Sequence, residues 1–297
     1  MGKSGDQSNE QSSRSSCLFA VALITTALSA CGGGDDVNTS GTGTSAPPAS
    51  SATPSSPQPA VQAACRPNGN FTYSGSASQV KDNNGKLAVV VVPSMPKEYQ
   101  LNRNFTASAV PASSLLQQAS GAFTTLASSD SATDCLGLDH GMVSDIQGVG
   151  SDVAIGRWNM AKDTDGNTYT MDQGLHYAVG TPLSLPVASG TLACTQLIAD
   201  SVANDFSGPT GTLGTASATL DLGTHTLNNL SMTIHDLNGQ YTLTKAQTPL
   251  NGVSTEGSLS VQTVVVGHDA KQPLVALGYS TSQSKSGVGG VVVLSCQ

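Results

Sequence analysis

The sequence predicts a mainly β protein, with an antiparallel barrel of about eight strands in residues 151–297. A smaller β-rich section with one short helix precedes it in residues 65–150. Only 11% of the residues are charged and 4% aromatic, while glycine occurs 32 times, a composition typical of exported β proteins. The second half of the chain is also a series of short alternating segments separated by Gly, Asn, Asp and Pro.

The barrel prediction rests on strict alternation between apolar and polar residues. Leu230, Met232 and Ile234 alternate with polar neighbours until the pair Asn238-Gly239. Asn-Gly between two alternating runs is a strong signal for a β-hairpin. Eight or more such short strands favour a barrel or a sandwich, and a closed barrel removes exposed strand edges.

The preceding section contains two clear strands and one segment with helical spacing. Residues 71–73 and 86–93 are rich in β-branched and aromatic side chains, and a turn signal at residues 82–85 separates them. In residues 111–126, apolar side chains recur near one face of a helix, which predicts a short surface helix there.

Residues 1–30 have the order of features of a lipoprotein signal peptide. Arg14 precedes an apolar run, residues 17–30, that is short for a membrane-spanning helix. The run ends in Leu28-Ser29-Ala30-Cys31, which matches the lipobox of bacterial lipoproteins. We therefore predict cleavage before Cys31 and acylation of its thiol with palmitate-type chains. The alternative is an ordinary signal peptide followed by a coincidental cysteine.

Residues 31–64 predict a disordered tether. They consist almost entirely of Gly, Ser, Thr, Ala, Pro and Asp, which cannot bury enough apolar surface to offset chain entropy. A coil of this length spans roughly 30 Å. Gly32, rather than Asp, follows the acylated cysteine, so we expect the outer membrane, with the leaflet undetermined.

Four cysteines remain in the predicted globular part: Cys65, Cys135, Cys194 and Cys296. An even number in an oxidising compartment predicts two disulfides, and four cysteines allow three pairings. A metal site is the alternative, but no CxxC pair or suitable histidine spacing supports it.

The second half resembles a barrel region of proteobacterial exported proteins. Residues 156–158 read GRW, residues 175–180 read LHYAVG, and residues 189–197 read SGTLACTQL. These strings resemble the small barrel of transferrin-binding-protein-type lipoproteins and of proteins with a FecR-type domain. The resemblance implies that the strand after the LHY segment begins the barrel and pairs with the last strand.

That strand order implies a disulfide between Cys194 and Cys296, and we therefore expect Cys65 to pair with Cys135. Cysteines stand where the family usually has aromatic residues, so the resemblance carries over no individual ligand-binding residue. It does imply presentation of the barrel to a host protein, an iron carrier or an envelope partner.

Trp158, Tyr169, His176 and Tyr177 are the candidate binding residues, because they cluster near the predicted start of the barrel. An exposed patch of these side chains would suit a protein or a small ligand. The alternative is that they pack the seam between the two sections.

Three further motifs are candidate sites. Residues 163–167, DTDGN, resemble a calcium loop but lack its spacing, so a hairpin turn is the expectation. Residues 139–145 hold Asp, His and Ser without the elbow motif of a hydrolase. The five histidines are scattered, which leaves a paired-histidine haem or metal site as a minor alternative.

The net charge of −8 argues against a phosphate-binding surface, so no nucleic acid partner is expected. No catalytic residues, cofactor or metal site are predicted. The sequence favours a non-enzymatic, membrane-anchored lipoprotein that binds a ligand or protein at the cell envelope. A structural envelope lipoprotein is the alternative, and a hydrolase is the weakest reading.

Overall fold

The computed structural model describes residues 65–66, 69–94, 103–204, 208–237, 239–281 and 287–297. All of these belong to one compact unit, Ser56–Gln297. The predicted signal peptide, Cys31 and the tether lie outside the described residues, and so does Asn238. The short helices of the described segments are single 3-10 turns, and none could cross a membrane.

The chain is mainly β, as the sequence predicted, and its strands form two sheets. The first sheet contains β1 (Phe71–Gly75), β2 (Lys86–Ser94), β3 (Phe105–Pro111), β4 (Leu116–Gln117), β5 (Phe123–Ala127), β6 (Cys135–Val149), β7 (Val153–Asp163), β8 (Thr168–Tyr169) and β9 (Gly174–Gly180). The second contains β10 (Thr191–Ala199), β11 (Ser201–Asn204), β12 (Gly211–Asp221), β13 (Thr226–Asp236), β14 (Gly239–Pro249), β15 (Gly252–Glu256), β16 (Leu259–Val266), β17 (Leu274–Thr281) and β18 (Val288–Cys296).

The first sheet has the order β3-β2-β9-β7-β6-β5-β4. β1 pairs with β6 in parallel, and β8 pairs with β7. β2, β7 and β9 are interior strands, which explains why β2 reads as a continuous valine run rather than an alternating one.

The second sheet has the order β14-β13-β12-β10-β18-β17-β16-β15. β11 bridges β12 and β18. β10 pairs antiparallel with β18, as the family resemblance implied. β13 and β14 form the predicted hairpin, in which Asp236 lies opposite Gly239, and Gly239 adopts φ +108°.

Three large apolar clusters hold the fold together, and a small fourth one surrounds the disulfide between Cys65 and Cys135. One lies inside the first sheet around Trp158, and a second lies inside the second sheet around Tyr279. The third, which we call the valine seam, joins the outer faces of the two sheets. It consists of Ala88, Val90, Val92, Val153, Ile155, Ala178, Val264, Val266, Leu274, Ala276, Val291 and Val293. Because these strands are buried on both faces, the two sheets pack as one body.

The helix expected in residues 111–126 is not formed. The segment begins with a 3-10 turn at Ala112–Ser114 and continues as β4 and β5. Gly121 takes φ +89° between these strands, and a Cβ there would lie 2.3 Å from the carbonyl oxygen of Ala77. The helical spacing was therefore misleading, because all five residues of β5 are buried on two faces.

The second sheet also does not begin at residue 151, where the sequence predicted the start of the barrel. β7 and β9 follow that point in sequence but pair with β6 and β2. The second sheet begins only at Thr191. Alternation indicates that a segment is a strand, but it does not identify the strand's partner, and the partner decides which sheet it joins.

Candidate functional site

The four predicted binding side chains are buried and do not form an exposed patch. Trp158, His176 and Tyr177 are 0% exposed, and Tyr169 is 2% exposed. Of the two expectations, a surface patch and packing within the protein, these exposures agree with packing, because β7 and β9 are interior strands whose two faces both meet apolar clusters. The aromatic side chains of Trp158, Tyr169 and Tyr177 instead belong to the core of the first sheet.

Hydrogen bonds fix two of these aromatic side chains on β5. The indole N–H of Trp158 donates to the carbonyl oxygen of Phe123 at 2.8 Å. The hydroxyl of Tyr177 accepts from the backbone N–H of Phe123 at 3.0 Å. Burial raises the pKa of Tyr177 above its ordinary value, which keeps this phenol neutral. Both side chains thus stabilise the core rather than contact a ligand.

His176 faces the opposite way from Tyr177, towards the second sheet. Its Nδ1 bonds with a carboxylate oxygen of Asp200, and both side chains are 0% exposed. The other carboxylate oxygen of Asp200 accepts the backbone N–H of Val291 at 2.8 Å. Asp200 stands between β10 and β11, so this pair links β9 of the first sheet to the centre of the second.

A second polar group lies beside this pair. Arg157 donates from Nε to a carboxylate oxygen of Asp145 at 3.0 Å, and Ser201 donates to the other oxygen at 3.1 Å. Arg157 also donates to the carbonyl oxygens of Met171 and Gln173, each at 3.1 Å. Its side chain is 6% exposed and that of Asp145 is 22% exposed, so the ion pair is partly shielded from water.

We name the side chains of Asp145, Arg157, His176, Asp200 and Ser201 the polar bolt. The polar bolt closes one end of the valine seam and connects both sheets. Burial raises the pKa of Asp200, and the charge and hydrogen bond of His176 oppose that rise. Asp200 is not part of a recognisable sequence motif, and its partner His176 lies 24 residues earlier in the chain. Sequence analysis therefore did not identify Asp200 as a site residue.

Ser94, His176 and Asp200 occur in an arrangement that invites comparison with a hydrolase. Ser94 lies on the same face of β2 as Val92, which pairs with His176. The hydroxyl of Ser94 and Nε2 of His176 are both buried, and neither has a hydrogen-bond partner among the described residues. Since Ser94 is 3% exposed and not bonded to His176, the three residues do not present an activated nucleophile to solvent.

The earlier hydrolase candidate does not assemble either. Nδ1 of His140 lies 3.0 Å from Asp139, while Ser144 bonds with Asp145 at 3.4 Å. His140 is exposed, and Asp145 is engaged by Arg157. The serine and the histidine therefore belong to separate contacts.

The segment at residues 163–167 forms the turn between β7 and β8, as expected. Asp163 accepts hydrogen bonds from the backbone of Asp165 and Asn167 and from the hydroxyl of Tyr169 at 2.7 Å. Arg103 binds the carboxylate of Asp165 with two nitrogens. Both carboxylates are thus used inside the protein.

The histidines do not converge on a metal site in the structure. His225 and His235 lie in the second sheet's region, whereas His268 contacts Asp152 at 2.8 Å on the surface. Among the residues that the structure describes, no three His, Cys, Asp or Glu side chains group around a point that could hold a metal ion.

The four cysteines are joined in the expected pairs. Cys65 bonds with Cys135 across 70 residues, and Cys194 bonds with Cys296 across 102 residues. Cys194 and Cys296 face each other on the paired strands β10 and β18. The second disulfide therefore connects β10 and β18, which are the first and last strands of the second sheet along the chain and neighbours within it.

Exposed apolar side chains gather where β7, β9, β11 and β13 end or begin. Met171 is 61% exposed, and Leu237 is 74% exposed. The backbone N–H of Asn204 donates to the carbonyl oxygen of Asp172 at 3.0 Å. A Cβ on Gly208 would lie 3.5 Å from the Asn204 amide and 3.9 Å from Leu237, so these loops are contiguous. Met160 of β7 is 52% exposed, and its backbone N–H donates to the carbonyl oxygen of Thr170, the residue before Met171. We call the side chains of Met160, Met171 and Leu237 the loop-end surface.

No protein-family model matches the chain, and no curated protein matches it. Among solved structures, the chain is similar to a double mutant of the vaccine antigen transferrin binding protein B from Haemophilus parasuis Hp5. The two share 12% identity and a TM-score of 0.30. The match covers 71% of this chain but only 45% of that protein, so this chain spans less than half of its length.

Proposed function

We propose that this chain is an exported lipoprotein, held to the cell envelope by lipid on Cys31, whose β fold serves as a binding module. The observation that carries this proposal is the ordered sequence signal: Arg14, an apolar run, and Leu28-Ser29-Ala30 immediately before Cys31. Two or three acyl chains on one cysteine make such an attachment durable.

The two disulfides support an address outside the cytoplasm. Disulfides persist in oxidising compartments and are rare in the reducing cytosol. Both pairs close long loops, of 70 and 102 residues, within a single compact unit.

Mass spectrometry of the amino-terminal peptide tests the anchor directly. We expect a chain that begins at Cys31 with acyl groups on that residue. Cys31→Ala should abolish acylation and the cleavage that depends on it, whereas Cys17→Ser, removed with the signal, should leave both unchanged. An unacylated amino terminus in the wild-type protein would overturn the proposal.

The binding role rests on the loop-end surface, because exposed large apolar side chains favour protein contacts. A host protein, an iron carrier protein or an envelope partner is the expected class of ligand. Met171→Glu and Leu237→Glu should each weaken capture of such a partner about tenfold. Val187→Glu is the matched control, since Val187 is 78% exposed in the loop beyond the other end of β9.

Capture is measured with the purified chain against host serum proteins, haem carriers and envelope extracts. An equal loss of capture in all three variants would contradict the assignment of partner binding to the loop-end surface. Protection from protease added to intact cells would favour the structural alternative, in which the module faces the envelope interior. Turnover in an esterase or peptidase screen would contradict the non-enzymatic assignment.

A further inference from the structure

Met160 lies in a β-bulge that directs its side chain to solvent. Trp158 and Ala161 of β7 both belong to the core cluster of the first sheet, so two residues separate them where regular strand alternation leaves one. The pairing register with β6 shifts between His140 and Met142, opposite this point, as a β-bulge requires. Met160 is the exposed residue of the bulge: it is 52% exposed and has a φ of +44°.

The surrounding backbone holds Met160 in this conformation. A positive φ is unfavourable for a residue with a side chain, so neighbouring contacts must maintain it. The N–H of Met160 donates to the carbonyl oxygen of Thr170 at 3.1 Å. Gly141 of β6 packs against the bulge so closely that a Cβ there would lie 2.5 Å from the carbonyl oxygen of Met160. The fold therefore presents the Met160 thioether to solvent at a fixed place.

Met171 supplies a second exposed thioether beside the first. It follows Thr170 in the chain and is 61% exposed. Its carbonyl oxygen accepts from a guanidinium nitrogen of Arg157 at 3.1 Å and from the side-chain amide of Asn159 at 3.4 Å. These bonds connect the loop before β9 to β7, so the two methionines remain neighbours in the loop-end surface.

The other sulfur atoms of the described segments are less accessible to a dissolved oxidant. Cysteine and methionine oxidise more readily as their exposure and thiolate character increase. All four cysteines of these segments are joined in disulfides, so they offer no thiolate. Met232 is 0% exposed in the core of the second sheet, and Met142 is partly buried. Met160 and Met171 are therefore the methionines of the described chain that an oxidant reaches most easily.

We propose that Met160 and Met171 form an oxidation site, at which peroxide converts the loop-end surface from apolar to polar. A lone pair of the thioether sulfur attacks one oxygen of hydrogen peroxide, and the O–O bond breaks. The second oxygen leaves as hydroxide, takes the proton of the transferred oxygen, and is released as water. The sulfur loses two electrons and becomes a sulfoxide, while the peroxide is reduced.

The change in polarity has a consequence for binding. A thioether is flexible, polarisable and apolar, whereas a sulfoxide is polar and disrupts interfaces that contain methionine. Peroxide should therefore weaken capture of a partner by the loop-end surface. This consequence rests on the proposed binding function, whereas the oxidation of the two residues does not.

Peptide mass spectrometry of the purified full chain in dilute hydrogen peroxide tests the site itself. Sulfoxide should form at Met160 and Met171 about tenfold or more faster than at Met232, because Met232 is buried. In denaturant the three rates should become similar, which would show that the fold causes the selectivity. The melting temperature should not change, since the modified side chains lie outside the core. Equal rates in the native protein would overturn the proposal.

Capture of serum and envelope proteins by peroxide-treated chain tests the consequence. Treated wild-type chain should capture about fivefold less than its own untreated sample. Met160→Leu/Met171→Leu is the matched variant, because leucine is apolar but has no sulfur to oxidise. Treatment should leave its capture at its own untreated level, although it retains Met95, Met142 and Met232.

The two measurements separate this proposal from the binding function. An equal loss of capture on treatment of the wild type and the leucine variant would contradict the switch in polarity. If untreated wild-type chain captures nothing, the binding function fails, and the rates of sulfoxide formation alone decide whether Met160 and Met171 are the oxidation site.

Discussion

The polar bolt offers the sharpest test of how the two sheets are held together. Replacing His176 with Leu leaves Asp200 buried beside the valine seam with only the Val291 N–H as a partner. Both side chains of the native pair are 0% exposed, so water does not compensate for the loss. The variant therefore leaves the carboxyl group of Asp200 in an apolar environment without its histidine partner.

The expected cost is about 3–5 kcal/mol in the free energy of unfolding at neutral pH, the usual range for breaking a buried ion pair by removing one partner. Replacing both partners with apolar residues costs much less, since no charge is then left unpaired. The double variant His176→Leu/Asp200→Leu should therefore be more stable than the single variant by about 2–4 kcal/mol at pH 8.

The pH dependence has a definite sign. Burial raises the pKa of Asp200, while His176 opposes that rise, so removing His176 raises the pKa further. A carboxyl group with a raised pKa binds its proton more tightly in the folded state. Its contribution to stability is present at low pH and is lost as the pH rises through the folded pKa. The difference in the free energy of unfolding between the single and the double variant should therefore be smaller at pH 5 than at pH 8.

The assay is denaturant unfolding of the disulfide-intact protein at pH 5 and pH 8, followed by far-ultraviolet circular dichroism. Asp200→Asn is the matched control, because its amide can still accept from Val291 and donate to His176 without a charge. A single variant that is more stable than the double variant at pH 8 would refute the reasoning. A gap that does not change with pH would refute it as well.

Three other perturbations test the remaining parts of the fold. Replacing Cys194 and Cys296 with Ala should lower the free energy of unfolding by about 3–5 kcal/mol, given the 102-residue separation, as measured by urea titration. Trp158→Phe should cost about 1–3 kcal/mol because it removes the buried hydrogen bond to the Phe123 carbonyl, and native tryptophan emission should be blue-shifted and poorly quenched by acrylamide. Gly141→Ala should destabilise by about 2 kcal/mol or more in a thermal melt, since Gly141 has φ +128° and its Cβ would lie 2.4 Å from the β7 backbone.

Local patterns in the sequence were enough to recognise most strands. The alternation around Met232 and the Asn-Gly pair after it predicted a hairpin that the structure contains. The valine run of β2 was also recognised as a strand. The family resemblance implied that β10 pairs with β18, and this pairing is present. Each of these inferences depends on residues that are close in sequence or on a known strand order.

The candidate site was predicted less well because burial is a property of the whole fold. The sequence around Trp158 and around Tyr177 does not distinguish a side chain that faces solvent from one that is covered by another part of the protein. Residues 111–126 show helical spacing, yet this segment became β4 and β5, since β5 pairs with β4 along one edge and with β6 along the other. His176 was singled out, but its partner Asp200 was not, because nothing local connects the two.

The expected disulfide pairs came from the family resemblance, because four cysteines alone allow three pairings. The sequence by itself determined the β class, most strand positions and the order of export signals ahead of Cys31. These features depend on short-range periodicity, turn residues and residue chemistry. Tertiary structure alone decided that β7 and β9 join the first sheet, that the aromatic residues are buried, and that Asp200 meets His176 at the end of the valine seam. Strand partners and buried contacts arise from packing between segments far apart in the chain, and no local pattern encodes that packing.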